Sequence, residues 1–452
     1  MNSQTNKSLT DGSLYRHLCT LALPLILGNI LQQFYNTIDA FVIGRFAGTD
    51  EFAAIGIAGT VMNLFLFALV GICTGFSILL AKYYGAGDFA QFRKQHFTSL
   101  FLGLLCTMIL CIAGFLLLPW IMKLIQTPAA LTPFVLSYLH IILLSLPASF
   151  LYNFYAALLR SVGNTKAALY VLAAAVSANL LLDMVLVGSC SMGITGAAIA
   201  TAITQTFSCL ACIVYLLHSH RELLFQKKDC QLVPDRLREA LHFGSVTALH
   251  QSGLYIGKML VQGAVNTGGT DLIAAYTAAT RVEGFANSFG DSGSAATSIL
   301  TAQNYGAGKK DRVHQSFFCS LKLLCAIGLT CGALMFLTAS RTSAFMLGNS
   351  SGAAFQNTVA YLKVISVFYV FCFTGNTFAG YFNGIGRVSI PFIGAISHIT
   401  LRVILSWILI SQYQLKAVAV ASGIGWMLVN LFWSVILLRY RKPHDIPHTQ
   451  HS

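Results

Sequence analysis

The sequence predicts an all-α integral membrane protein of twelve transmembrane helices, arranged as two six-helix bundles related by a pseudo-twofold axis along the membrane normal. Three observations predict it. Only 10% of the 452 residues are charged and 56% are hydrophobic, with mean hydropathy +0.70. A water-soluble domain carries about 25% charged residues, so most of this chain must face lipid or protein. The apolar residues gather in runs of about 20 or more, the length that crosses a bilayer as a helix. Finally, one segment is spelled twice. Residues 48–54 read GTDEFAA and residues 269–275 read GTDLIAA. The match continues without a gap to AKYYGAG at 81–87 and AQNYGAG at 302–308, with 15 identities in the 41 positions of 48–88, all at an offset of 221. Chance gives about two or three, so a structural unit has been duplicated.

In chain order, residues 1–15 are a polar N-terminal segment. Span 1 covers 16–43, with Pro24 in its middle and Asp39 near its end. Span 2 (52–81) follows the first repeat landmark and carries the close-packing pair Gly71/Gly75. Spans 3 (95–119) and 4 (133–157) come next, the latter followed by Arg160-Ser-Val-Gly163. Span 5 (167–188) bears Asn179 and Asp183, one turn apart. Span 6 (194–217) opens on Ala197–Ala200. A polar linker, 218–240, contains Gln226-Lys-Lys-Asp229 and Pro234. Span 7 (241–265) holds Gly253/Gly257 and Lys258. Span 8 (272–304), the repeat of span 2, holds Arg281, Glu283 and Asp291. Spans 9 (315–339) and 10 (355–382) lead to Asn383-Gly-Ile-Gly386, a faint echo of the turn after span 4. Span 11 (389–410) carries Arg402, span 12 (417–438) opens on Val418–Ala421, and 439–452 form a tail. Backbone groups in lipid must bond internally, so the spans are helices. The alternating ten-residue strands of a barrel are absent.

The repeat pairs span 2 with span 8, so each copy holds six spans: 16–217 and 241–438. An even number of crossings returns the chain to its starting side. Both copies then insert with the same orientation, and their interface is where transporters place substrate. With a cytoplasmic N-terminus, the inner segments hold 19 Lys and Arg and the outer loops four: Arg45, Lys123, Arg341 and Lys416. This positive-inside bias places both termini and the linker in the cytoplasm. It also accounts for the formal charge of +13, with anionic lipid rather than nucleic acid as the partner. No cleavable signal peptide is evident, because the first apolar run is long and holds polar residues.

Four acids lie within spans: Asp39, Asp183, Glu283 and Asp291. A charged side chain at the bilayer centre costs about 2.5–3.5 kcal/mol on insertion scales, which makes each a functional candidate. At 1.5 Å per residue, Asp39 lies about 6 Å below the outer end of span 1, Asp183 about 7–8 Å below that of span 5, and Thr201 about 12 Å into span 6. Asn179 sits one turn deeper than Asp183 on the same face. These groups share one layer, able to hold a proton between acids or a hard cation through oxygen. The plainer alternative is that the acids cap helix ends. In the second half Glu283 lies about 16 Å into span 8. Lys258 suits it as a partner better than Arg281, which is about 200° round the same helix. With Arg402 these residues form a second-lobe charge network, most simply a structural one.

Other chemistries are poorly supported. Cys209 and Cys212 form a C-x-x-C inside an apolar helix and read as small packing residues. Gly290-Asp-Ser-Gly293 lacks any triad context. An integral-membrane transferase would need D-D-x-x-D or paired histidines on a loop, and neither is present. The chain is not expected to be an enzyme or to carry a cofactor.

Several stretches taken together resemble the MATE family, the multidrug and toxic compound extrusion transporters, in its bacterial MepA-like or DinF-like type. They are Leu23-Pro-Leu, Asn36-Thr-Ile-Asp39 followed by Gly44, Arg160-Ser-Val-Gly-Asn164, Asn179-Leu-Leu-Leu-Asp183 and Gln303-Asn-Tyr-Gly-Ala-Gly308. The resemblance covers about residues 14–440. It implies a V-shaped pair of lobes and secondary active export of amphipathic, often cationic compounds in exchange for H⁺ or Na⁺. It implies a cation-coupling network at Asp39, Asn179, Asp183 and Thr201, and bending of the first helix about Pro24. NorM-like members carry acids in spans 7 and 10. This chain has Lys258 and Lys363 there, which argues against a NorM-like second-lobe cation site. The expected partners are small-molecule drugs or toxic metabolites and membrane lipids, with a monomer as the working unit. The alternative is a lipid-linked oligosaccharide flippase of the same superfamily, kept open by Lys258, Arg281 and Arg402.

Overall fold

The computed structural model describes residues 9–439, apart from the side chains of residues 36, 37, 40, 41 and 49. The tail residues Arg441 and Lys442, counted above as cytoplasmic charge, lie outside the described residues. Twelve long α-helices account for nearly all of it. They are α1 (Leu14–Phe46), α2 (Thr49–Gly85), α3 (Phe89–Leu124), α4 (Thr132–Ser161), α5 (Thr165–Asp183) and α6 (Gly193–Ser219), then α7 (Pro234–Asn266), α8 (Thr270–Gly306), α9 (Lys310–Leu347), α10 (Ala353–Gly384), α11 (Ser389–Tyr413) and α12 (Leu415–Arg439). Each contains one of the twelve spans, and most extend past it by a few residues at each end, except that the span-5 segment leaves α5 after Asp183. Ten helices are long and apolar enough to cross a membrane; α7 and α8 are long enough but more polar. The reason is visible in their residues, which include His250 and Lys258 on α7 and Arg281, Glu283 and Asp291 on α8.

The duplication is visible in the backbone. α2 and α8 have the same length, 37 residues, and begin and end 221 positions apart. Gly48 and Gly269 precede them at φ 94° and 85°, and Gly87 and Gly308 follow at φ 70° in both. That left-handed region is open to glycine at little cost, which explains why the repeated letters are glycines at those turns. Asp88 and Asn164 cap α3 and α5 by accepting from the backbone N–H of Gln91 (3.0 Å) and Ala167 (3.2 Å), the usual role of these residue types.

By packing, the chain forms two units. One is Pro24–Ser252; the other joins the residues up to Leu23 to those from Gly253 onward. The dividing points fall inside α1, at Pro24, and inside α7. In the first unit α2 rests on the start of α7. A Cβ added at Gly71 would lie 2.5 Å from the Ala248 Cα, and one at Gly75 would lie 2.5 Å from the Phe243 carbonyl oxygen. The Thr247 hydroxyl seals the contact with a 2.7 Å bond to the Gly71 carbonyl. In the second unit Gly380 and Gly384 of α10 stand in the same way against α8, at Ser294 and Thr301. Gly253 and Gly257 of α7 stand close to the Ile396 and Ile399 side chains of α11, so these glycine pairs are packing devices.

The linker is ordered. Two short 3₁₀ turns, Arg221–Leu223 and Lys227–Asp229, lead into α7. Arg93 on α3 pairs with Asp229 at 3.0 Å, and His96 bonds the Leu223 carbonyl at 3.1 Å. Asp229 is buried, which would raise its pKa. The Gln226 backbone N–H and the Arg93 guanidinium outweigh burial and hold it below the usual carboxylate value.

Candidate functional site

The predicted layer of polar residues assembles in the first unit. Asn179 and Asp183 lie on one face of α5, four residues apart, and are almost fully buried, at 2% and 1% exposure. The Asn179 amide is oriented by its neighbours. Its nitrogen donates to the Tyr35 hydroxyl at 3.0 Å and to Asp183 Oδ2 at 2.9 Å, and its oxygen accepts from the Thr201 backbone N–H at 3.3 Å. Tyr35 also lies beside the Thr201 side chain. Asp39, half-buried on α1, faces Asp183, and the two carboxyl groups interact directly. Asp183 Oδ1 is buried and has no hydrogen-bond partner among the described residues.

All four predicted residues, Asp39, Asn179, Asp183 and Thr201, are thus brought together from three helices. Two members escaped the sequence reading. Tyr35 stands four residues before Asp39, one turn along the same face, and that spacing could have found it. Tyr138, on α4, is buried and lies close to both acids; nothing local in the sequence marks it.

Two features fix the framework. Immediately after Asp183 the helix widens into a π-turn, Met184–Ser189, in which the Cys190 N–H reaches the Val185 carbonyl at 2.8 Å. Such turns hold an extra residue and occur often at functional positions. At the start of α6, Glu51 from the GTDEFAA motif accepts a hydrogen bond from the Ile194 backbone N–H. A carboxylate is favoured at that end of a helix dipole. Gly193 (φ 55°) allows it, because a Cβ there would strike the carboxylate.

Chemically, an unsatisfied buried carboxylate oxygen beside a second acid calls for a positive occupant. One proton shared between the acids relieves their repulsion. A hard cation ligated by carboxylate, amide and hydroxyl oxygens does the same. No group of three or more His, Cys, Asp or Glu with metal-site geometry occurs among the described residues.

The second-lobe residues do not assemble as one cluster. Glu283 is buried (8% exposed) and accepts a 2.9 Å bond from the Tyr361 hydroxyl, while the neighbouring Tyr369 hydroxyl donates to Asn287 at 3.4 Å. Arg402 donates to the Tyr276 hydroxyl at 3.3 Å and acts on Glu283 through space. Lys258 is exposed and also acts on Glu283 only through space. Arg281 is exposed and makes no hydrogen bond or ion pair with Glu283. Tyr361, absent from the sequence reading, is Glu283's direct partner. Lys363 is exposed too and lies over the Phe336 ring, 5.7 Å from its centroid.

A long-helix membrane protein with a duplicated bundle and a buried acid pair is the construction of a secondary transporter. The MatE family model matches residues 24–185 and 246–408, one copy in each half. The chain belongs to the MATE family of efflux transporters. Relatives include the probable multidrug resistance proteins YoeA and YpnP of Bacillus subtilis. YoeA is 28% identical over 67% of this chain and 67% of its own length; YpnP is 25% identical over 88% and 87%. The probable multidrug resistance protein NorM of Thermotoga maritima is 24% identical over 94% and 91%. Among solved structures, an outward-facing multidrug resistance MATE transporter superimposes with TM-score 0.90 at 20% identity, covering 99% of this chain and all of that one. A transporter from Pyrococcus furiosus, described as having a binding pocket of reverse polarity, gives 0.89 at 20% identity, covering 98% and 100%. These likenesses show the two-lobe, twelve-helix fold.

Proposed function

We propose that the protein is a secondary active antiporter of the cell membrane, with both termini cytoplasmic, exporting amphipathic, often cationic small molecules in exchange for H⁺ or Na⁺. The single observation that carries the reading is the buried Asp39–Asp183 pair held by Asn179, with one carboxylate oxygen left without a partner. A coupling cation and a cationic drug compete for that negative charge. Binding either displaces the other, and neutralising the acids lets α1 repack about Pro24. Proline lacks an N–H and frees the carbonyl one turn earlier, so the helix bends there at reduced cost. The relatives' names support small-molecule substrates; nothing in them favours the flippase alternative.

The test is efflux of a cationic dye from cells carrying Asp39→Asn or Asp183→Asn. Both variants are expected to insert normally and to lose efflux. Unchanged efflux by either would end the proposal.

A further inference from the structure

The duplication lets each polar residue of one bundle be located in the other. α2 and α8 align at an offset of 221. α4 and α10 align at 223, because Val162 and Ile385 end them and Gly163 and Gly386 follow at φ 85° and 80°. Equivalent backbone bonds close both turns, Gly163 to Arg160 and Gly386 to Asn383, each at 2.9 Å. From there α5 and α11 run uninterrupted to Asp183 and Ser406. Hence Glu283 is the counterpart of Met62, Tyr361 of Tyr138, Arg402 of Asn179 and Ser406 of Asp183. A contact checks the register. The Tyr138 hydroxyl lies 3.5 Å from the Met62 sulfur, and the Tyr361 hydroxyl lies 2.9 Å from Glu283.

The replacements are correlated in charge. Asp39 has Leu260 as its counterpart, 221 positions on. At this level the first bundle therefore carries two acids and no base, whereas the second carries one acid and one base. A guanidinium is not deprotonated in proteins. Within a bilayer-spanning bundle it requires an opposite charge nearby, and a buried acid requires the converse. Arg402 has few local ties. One nitrogen reaches Tyr276, and its buried Nε has no hydrogen-bond partner among the described residues.

We propose that Arg402 is a tethered counter-cation for Glu283, supplying permanently in the second bundle the positive charge that the Asp39–Asp183 pair takes up from solution in the first. The second bundle then exchanges no proton or metal cation, and transport is coupled through one bundle alone. The contrast rests on the coupling role proposed for the first bundle, but the claim about Glu283 and Arg402 is separate. The groups facing Glu283 are Tyr361, Tyr369 and Cys372 on α10, Arg402 on α11 and Lys258 on α7. Tyr276 and Asp291 share its own helix. Cys331 on α9 faces Tyr369. Lys258 and Asp291 are both exposed and attract one another through space, so the charge Lys258 presents to Glu283 is partly offset by Asp291.

The test uses full-length protein carrying Asp39→Asn and Asp183→Asn, which silences the first site. Protonated carboxyl groups are followed by infrared difference spectroscopy during a pH titration, and radiolabelled Na⁺ binding is measured in parallel. Adding Glu283→Gln is expected to change neither signal. Adding Arg402→Gln is expected to create one new titrating carboxyl or one Na⁺ site, which Glu283→Gln removes again; Arg402→Lys creates none. The proposal is overturned if Glu283→Gln alone abolishes a titrating carboxyl or bound Na⁺, or if folded Arg402→Gln gains neither. Should Arg402→Gln fail to fold, the Glu283→Gln comparison decides. If the Asp39/Asp183 substitutions leave ion binding unchanged from the wild type, the proposed function fails while the Glu283 result stands.

Discussion

Asn179 is the residue through which the first-bundle site is assembled, since its amide joins Tyr35, Asp183 and the α6 backbone. A hydrogen bond to a charged group contributes about 1.5–3 kcal/mol, and a neutral one about 0.5–1.5. Asn179→Ala is therefore expected to weaken coupling-ion binding roughly tenfold or more. Tyr35→Phe, which removes one hydroxyl, should weaken it by a few-fold. Ion-dependent quenching of intrinsic fluorescence on purified protein reads both, and equal effects would contradict the arrangement. The acids and Asn179 were legible in the sequence because carboxylates are rare in apolar spans and their depths coincide. The tyrosines were not, because tyrosine is ordinary in membrane helices and Tyr138 reaches the site only through tertiary packing. The separation of Arg281 from Glu283 was legible too. The two are near neighbours in sequence, yet helical geometry turns them apart.

At the level of elements, the existence and order of the helices were readable because length and hydropathy fix them, whereas several ends, such as those of α3, α7 and α9, lie more than a turn beyond the apolar spans. The π-turn was not readable, since an extra residue wound into a helix leaves no compositional trace. Pro24 stands where α1 passes from one packing unit to the other. A proline in a helix interior weakens it by about 3 kcal/mol, and about 1.4 kcal/mol is a factor of ten. Pro24→Ala should straighten the helix and slow turnover by about tenfold or more while drug affinity is retained, a split that transport rates and equilibrium dye binding resolve. The linker gives a pH prediction. Asp229 is held below its ordinary value of 3.8. A depressed carboxylate contributes stability above its unfolded pKa and loses it as pH falls through the folded one. Limited proteolysis of residues 220–233 should thus stay slow from neutral to mildly acid pH and rise only in strong acid. Arg93→Ala should make it fast at neutral pH.

For the whole molecule, the decisive measurement is dye transport by purified protein in liposomes, under a pH gradient and, separately, under a Na⁺ gradient. Exchange at one acid pair predicts that one or both gradients drive transport, and one-for-one exchange of a monovalent cationic dye for H⁺ or Na⁺ predicts that a membrane potential alone, with both gradients absent, does not. The overall architecture was legible because duplication writes the same turns twice, and glycine is required at them. What each half has become since was legible only after the helices could be superimposed. The wide turn after Asp183 records one such divergence. Between the left-handed residues that begin α6 and α12, Gly193 and Gln414, and the turns before α5 and α11, the first half is two residues longer. Each residue of an ordinary helix advances the chain by about 100°. An unbroken helix would carry such a surplus into the aim of every residue beyond it; here it falls in the π-turn and the three residues before α6, a detour with no twin where α11 passes through one residue into α12.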